Sequence, residues 1–275
     1  MSKVEKALQK SRTLEGLQGI SPALEGSQQL VPKRMDLRPF RHEIARMREP
    51  WRLSQADLAE EKIIYSDMQD RQVVDAFRAI RTRILQESVG GNCSVLVTSV
   101  TDDGGSSFVA LNLAVAFTLD VAKTAVLLDC NLRDPAYDHL AAANLDHGLT
   151  DFLESPELDP TEIVQPAGIP RLRVIPAGRA TGGATEQLDS QRMRELLGSV
   201  RQRYQDRYVI VDSASIATSS DAQILAGLCD FAILVVPYGK VTEAQVWQAA
   251  QAIDERKFLG VVFNNEPRLP KPSWN

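Results

Sequence analysis

The sequence predicts an α/β fold: three layers, with a mainly parallel sheet covered by helices on both faces. Three observations lead to it. Short β-branched runs recur between residues 94 and 263, and helical stretches separate them. Two of the runs, Thr124–Asp129 and Tyr208–Asp212, end in aspartate, at the carboxyl ends where such sheets hold their ligands. Strands separated by helices imply βαβ crossovers and a sheet buried on both sides.

The pattern becomes regular from about residue 66. Val73, Phe77, Ile80, Ile84 and Leu85 form a helical stripe. Ser94–Ser99 reads as the first strand and Val109–Leu119 as a buried helix. Thr124–Asp129 and Leu172–Ile175 are the next strands, and Arg192–Tyr204 is helical. Tyr208–Asp212, Ala232–Val236 and Leu259–Phe263 complete the strands, with helical stretches at 219–228 and 242–256 between them. In front of this body, Val4, Leu8, Leu14 and Leu17 form one face of a short helix, which is marginal by itself in water. Residues 19–58, interrupted by Gly19, Pro22, Gly26, Pro32, Pro39 and Pro50, read as extended linker. The expected organisation is therefore a basic arm over 1–60, one domain over 61–267 and a tail over 268–275.

Composition narrows the function classes. The 275 residues are 44% hydrophobic and 24% charged with a formal net charge of −5, which excludes a strongly basic nucleic-acid binder. The charge is uneven: residues 1–60 carry 11 basic and 8 acidic side chains, net +3, leaving −8 for the rest. That arm suits either solvent or a partner at an anionic membrane surface. Cys93, Cys130 and Cys229 are odd in number and far apart, so no disulfide framework can be drawn. With His42, His139 and His147 they give no zinc spacing. The apolar runs are short, as at Phe231–Pro237, and the opening Met-Ser-Lys-Val-Glu-Lys has no apolar signal region. The expected compartment is the cytoplasm.

The informative residues follow the strands. After the first comes Thr98-Ser-Val-Thr-Asp-Asp-Gly-Gly-Ser-Ser-Phe108, then a helix, where a phosphate-binding loop should sit. Such a loop cradles phosphate with glycine-freed backbone N–H groups, a lysine, and a hydroxyl for Mg²⁺. Here the lysine position is Ser106 and the earlier glycine position is Asp103, while Gly105 and Ser107 remain. The second strand leads into Asp129-Cys-Asn-Leu-Arg-Asp-Pro135, and the strand Tyr208–Asp212 into Asp212-Ser-Ala-Ser, with Asp221 beyond. Each aspartate alone could be a helix cap. Three such features in order on one parallel sheet point to a nucleotide-binding site.

Together these segments resemble the cytoplasmic tyrosine autokinases of bacterial exopolysaccharide systems, the BY-kinases, within the MinD/ParA-like deviant P-loop class. Asp75-Ala-Phe-Arg78-Ala-Ile-Arg81 resembles the family's Glu-x-x-Arg-x-x-Arg oligomerisation helix, with Asp for Glu. Thr98–Ala114 resembles Walker A, Val126–Pro135 the second acidic motif Asp-x-Asp-x-Arg, and Tyr208–Asp212 Walker B. Gly148–Leu153 and Ile175–Arg179 match two family connectors, and Leu259–Asn264 matches the last strand. The resemblance implies a P-loop NTPase-like domain with ATP and Mg²⁺ as cofactors. In an active member Asp129 and Asp212 would be catalytic and would hold Mg²⁺ with Ser107. Gly104, Gly105, Ser106, Ser107, Phe108, Arg133 and Asn264 would form the nucleotide site or its remnant. The Asp75/Arg78/Arg81 helix would serve self-association, against the plainer reading of intrahelical pairing. The implied partner is a membrane polysaccharide co-polymerase or export complex, which would place the chain at the inner membrane's periphery.

Four departures set the functional expectation. The loop lysine is absent, Asp102 and Asp103 stand in the loop, the second acidic-motif aspartate is Asn131, and no tyrosine follows Tyr238 to form the family's C-terminal cluster. The ordinary loop brings about +1 to the phosphates, whereas Thr101–Phe108 brings −2. One unit-charge pair at 4 Å is worth roughly 4 kcal/mol at an effective dielectric near 20, so even a diluted fraction costs orders of magnitude in ATP affinity. Arg133 and Lys240 are the candidate compensating cations. The expectation is a degenerate member, a pseudokinase that regulates polysaccharide export and requires no cofactor. The alternatives are an active autokinase or ATPase and a MinD/ParA-like positioning factor. The latter is disfavoured because residues 98–106 contain no lysine, and a dehydrogenase lacks its G-x-G-x-x-G.

Overall fold

The computed structural model describes residues 47, 49–88, 91–141, 147–179, 185–202 and 206–266. The expected Val4–Leu17 helix, most of the basic arm and the 268–275 tail lie outside these residues.

Seven strands form one sheet in the order β3-β4-β2-β5-β1-β6-β7. They are β1 (Ser94–Ser99), β2 (Thr124–Asp129), β3 (Gln165–Pro166), β4 (Leu172–Ile175), β5 (Arg207–Asp212), β6 (Phe231–Pro237) and β7 (Phe258–Asn264). All pairings are parallel except the short β3 on β4. The six-residue β1, β2 and β5 are buried throughout, as continuous apolar runs in a doubly covered sheet should be. Successive side chains point to opposite faces and divide between two cores. Val95, Val97, Leu127 and Ile210 face α2 (Arg71–Glu87) and α3 (Ser106–Thr118). Leu96, Leu128, Val209 and Leu234 face the other side, with α4 (Leu149–Glu154), α5 (Gln191–Gln202), α6 (Ser220–Leu228) and α7 (Glu243–Gln251).

The first helix, α1 (Gln55–Glu60), falls where the sequence suggests linker. Its start is fixed by a capping box: the Ser54 hydroxyl accepts from Asp57 N–H, and the Asp57 carboxylate accepts from Ser54 N–H. The segment before it lies on the sheet edge, with Leu53 N–H donating to Gly168 O at 2.9 Å and Glu49 paired to Arg173 at 3.2 Å. The compact body therefore reaches back to residue 49, because side chains from residues 49–53 meet β4 and the turn before it. Helix α7 stops at Gln251 rather than 256, since Asp254 accepts from Arg256 N–H and guanidinium and bends the chain locally instead.

Candidate functional site

The site is built where β1, β2 and β5 end side by side. Backbone comes first. The chain leaves β1 through a loop tied to itself by Ser99 Oγ on Thr101 O and Gly104 N–H on Thr101 O, then enters α3 at Gly105. Gly105 has φ +87, and a Cβ there would fall 2.0 Å from Asn264 Nδ2, so only glycine fits. Asp103 has φ +55, a left-handed conformation that favours glycine and that aspartate adopts more readily than most other residues.

Hydroxyls tie this loop to the segment after β5. Ser106 Oγ, in the lysine position, donates to Ser213 O at 3.2 Å. Ser215 Oγ donates to Val100 O at 3.0 Å, and Thr218 Oγ1 donates to Asp102 Oδ1 at 3.1 Å. The Asp212-Ser-Ala-Ser sequence thus supplies a hydroxyl and a carbonyl that latch the loop. Asn264, at the end of β7, donates from Nδ2 to Gly104 O at 3.1 Å.

Around the loop lies a cleft of about 490 Å³ lined by Gly104, Gly105, Ser106, Ser107, Arg133, Asn131, Asp102, Asp103, Asp134, Ser215 and Thr218 among others. Five of the predicted nucleotide-site residues thus come together. Phe108 is not among the lining residues: it packs into the α2–α3 core, edge-on to Phe77 at 6.1 Å between centroids. Lys240, a candidate compensating cation, is also not among them, whereas Arg133 is. The cleft's charged lining is three carboxylates against one guanidinium.

Behind the cleft, Asp129 and Asp212 stand in register on adjacent strands. Both are fully buried. Asp129 Oδ1 accepts from Asn131 N–H at 3.1 Å and Oδ2 from Ala136 N–H at 2.9 Å. Burial, and next the Asp212 charge, push Asp129 up to about 7. Burial likewise raises Asp212 to about 6, opposed by the Ser107, Tyr137 and Ser106 hydroxyls. Tyr137, which the sequence gives no reason to single out, places its OH 2.9 Å from Asp212 Oδ2 and 2.9 Å from Ser107 O. It sits in an irregular loop without periodicity, so only its proximity in sequence to Asp129 hints at a role.

The proposed self-association residues lie elsewhere. On α2, Asp75 and Arg78 are exposed and bonded to each other at 3.2 Å. Arg81 Nη1 donates to Ala116 O at 2.8 Å, near the end of α3 remote from the cleft.

The donor set of Ser107, Asp129 and Asp212 is oxygen-only, as Mg²⁺ requires. The phosphate cradle does not fit: Ser106 Oγ is turned to a carbonyl, and Asp102 and Asp103 stand exposed on the loop that phosphate would have to approach.

A parallel sheet whose first strand feeds a glycine-bearing loop and a buried helix, with aspartates ending the two strands beside it, defines a P-loop NTPase-like protein. Comparison with known proteins narrows the class. No protein-family model matches the chain. It is 30% identical over 199 residues to the tyrosine-protein kinase CpsD of Streptococcus agalactiae serotype III, covering 71% of this chain and 84% of the relative. It is 32% identical over 202 residues to the tyrosine-protein kinase YwqD of Bacillus subtilis, covering 72% and 83%. The kinase domain of the Escherichia coli tyrosine kinase ETK superposes with a TM-score of 0.66 at 22% identity, over 82% of this chain and 91% of that one, a likeness of fold. The chain belongs to the bacterial tyrosine-protein kinase family. Among the described residues no helix is long and apolar enough to cross a membrane.

Proposed function

We propose that this chain is a pseudokinase of the BY-kinase family. It would regulate exopolysaccharide or capsule biosynthesis by binding a membrane polysaccharide co-polymerase or its export complex from the cytoplasmic side. One observation carries the reading: the loop that should attract phosphate keeps its backbone form but presents Asp102 and Asp103, with Ser106 in place of the lysine and latched to Ser213 O. Phosphoryl transfer depends on positive charge at the transferring group, and this loop offers the opposite sign. The intact fold then serves as a recognition surface, and the basic residues before position 49 suit recruitment to an anionic membrane.

Calorimetry with MgATP and MgADP on the wild-type protein tests the reading. The expected result is no measurable binding at millimolar nucleotide. The double variant Ser106→Lys/Asp103→Gly should bind, since Asp103 already has a glycine-like φ and the rest of the loop is formed. An active autokinase is the second reading, favoured by Arg133 lining the cleft. Micromolar MgADP affinity in the wild type, abolished by Asp212→Ala, would establish it and remove the pseudokinase.

A further inference from the structure

The buried end of the site contains an arrangement that the missing lysine does not explain. Tyr137 is 1% exposed, yet its hydroxyl lies at hydrogen-bond distance from two groups on different elements, Asp212 Oδ2 on β5 and Ser107 O on α3. We propose that the Tyr137 hydroxyl, with its one proton between Asp212 Oδ2 and the Ser107 carbonyl, closes the Asp212 end of this site to a metal ion and holds the start of α3 to β5 without a cation. The inference rests on the pseudokinase reading and deepens it.

Three observations support the assignment. First, the loop that delivers Tyr137 also consumes the other carboxylate: both oxygens of Asp129 accept backbone N–H groups from residues 131 and 136. With Tyr137 on Asp212, three of the four carboxylate oxygens are bonded from this one loop. The fourth, Asp212 Oδ1, is buried with the Ser107 and Ser106 hydroxyls beside its carboxylate. A divalent cation that needs about six oxygen ligands would have to share oxygens already turned toward these donors. Second, the phenol is buried with its oxygen against the Asp212 carboxylate and a main-chain carbonyl, two acceptors that leave it only a donor's role. It is therefore a neutral donor in a place where a nucleotide-binding relative needs positive charge. Third, the bridge joins the helix after the phosphate loop to the strand bearing the Walker B aspartate. The ring is bulky and fully buried, so it cannot leave without opening the core that lies behind it.

The test is cation binding in nucleotide-free solution, read as the melting temperature of the full chain in EDTA against MgCl₂, with MnCl₂ titration as a second probe. Wild type is expected to be indifferent to both cations. Tyr137→Phe keeps the ring and removes the oxygen. It should melt lower in EDTA and gain about 3–6 °C at a cation concentration near ten times its Kd. Adding Asp212→Asn to Tyr137→Phe should abolish that gain. A folded Tyr137→Phe protein that ignores both cations overturns the proposal. So does a wild-type protein that gains the same shift and loses it on Asp212→Asn. Should Tyr137→Phe not fold in EDTA, its recovery of the folded state on adding MnCl₂ supports the proposal and failure to recover overturns it; tighter Mn²⁺ binding by wild type than by Asp212→Asn also overturns it. Nucleotide affinity is measured separately, so failure of the pseudokinase reading and failure of this proposal are distinguishable.

Discussion

Two carboxylates held side by side in a core give the molecule a pH dependence of definite sign. Asp129 and Asp212 titrate at about 7 and about 6 in the folded chain, above the ordinary carboxylate value, because burial disfavours their charged forms. Between roughly pH 4 and 7 the native state therefore binds more protons than the unfolded chain. Their contribution is fully present below the unfolded value and is lost as pH rises through the folded values. The slope is at most about 1.4 kcal/mol per pH unit for each excess proton. Denaturant unfolding should show this pair favouring the fold more at pH 5.5 than at pH 8. Asp129→Asn should lower stability overall, since an amide has one acceptor oxygen for the two N–H groups that Asp129 now satisfies. Its diagnostic effect is a flatter pH profile across this window. An unchanged slope in the variant would mean that Asp129 is already ionised at pH 5.5.

At the scale of elements, α3 decides most of the architecture, and three polar side chains fix it. Asn112 is fully buried on it, accepting from Ile64 N–H at 2.8 Å and donating to Lys62 O and Phe108 O. Two arginines from outside the helix reach carbonyls of its last turn: Arg81 meets Ala116 O, and Arg171 Nε meets Thr118 O at 3.1 Å. Cations at a helix C-terminus satisfy orphan carbonyls and oppose the negative end of the dipole. Arg81→Ala should therefore cost about 1–2 kcal/mol of stability, whereas Arg78→Ala, which breaks an exposed pair with Asp75, should stay within about 0.5 kcal/mol. Chemical denaturation separates the two, and sedimentation of the same variants reports whether either affects self-association. Equal and negligible costs would show that the Arg81 contact is not maintained in solution. This helix also shows what a sequence can reveal. Its apolar run and the glycine before it mark a buried helix after a loop, and the aspartates of β2 and β5 mark the site, because both signals are local and periodic. Asn112 on Ile64, Arg81 on Ala116 and Tyr137 on Asp212 join residues 48, 35 and 75 positions apart. Such pairs leave no spacing pattern within one chain. The segment 49–53 is hidden for a related reason: Pro50 and its charges read as linker, and only the edge of β4 gives them a place.

For the molecule as a whole, the open question is where the folding unit begins, and that segment answers it. Glu49 and Arg173 pair at 3.2 Å with side chains each 10% exposed, and the same carboxylate accepts from Arg171 N–H at 3.0 Å. Trp51 lies over Gly168, whose φ is +67 and where a Cβ would stand 2.1 Å from the indole, so glycine is required on both counts. Ile63 and Ile64, just beyond α1, are buried in the α2–α3 core. The segment thus crosses the β3–β4 edge and feeds directly into the core rather than hanging from it. A chain beginning at residue 59 should consequently melt below one beginning at residue 47, although both retain the whole sheet. The ion pair alone sets the expected scale, since hydrogen bonds to charged groups contribute about 1.5–3 kcal/mol. Glu49→Gln in the full chain isolates that part: it keeps an acceptor for Arg171 N–H but removes the charge facing Arg173, and it should recover less than the full loss seen on truncation. Thermal unfolding of the three proteins decides the matter. If the chain starting at 59 melts with the one starting at 47, residues 47–58 are a passive tether and the domain begins where composition alone would place it. If it melts several degrees lower, any assay of partner recruitment by the arm must use a cut before residue 47, because a later one damages the body that the partner is meant to recognise.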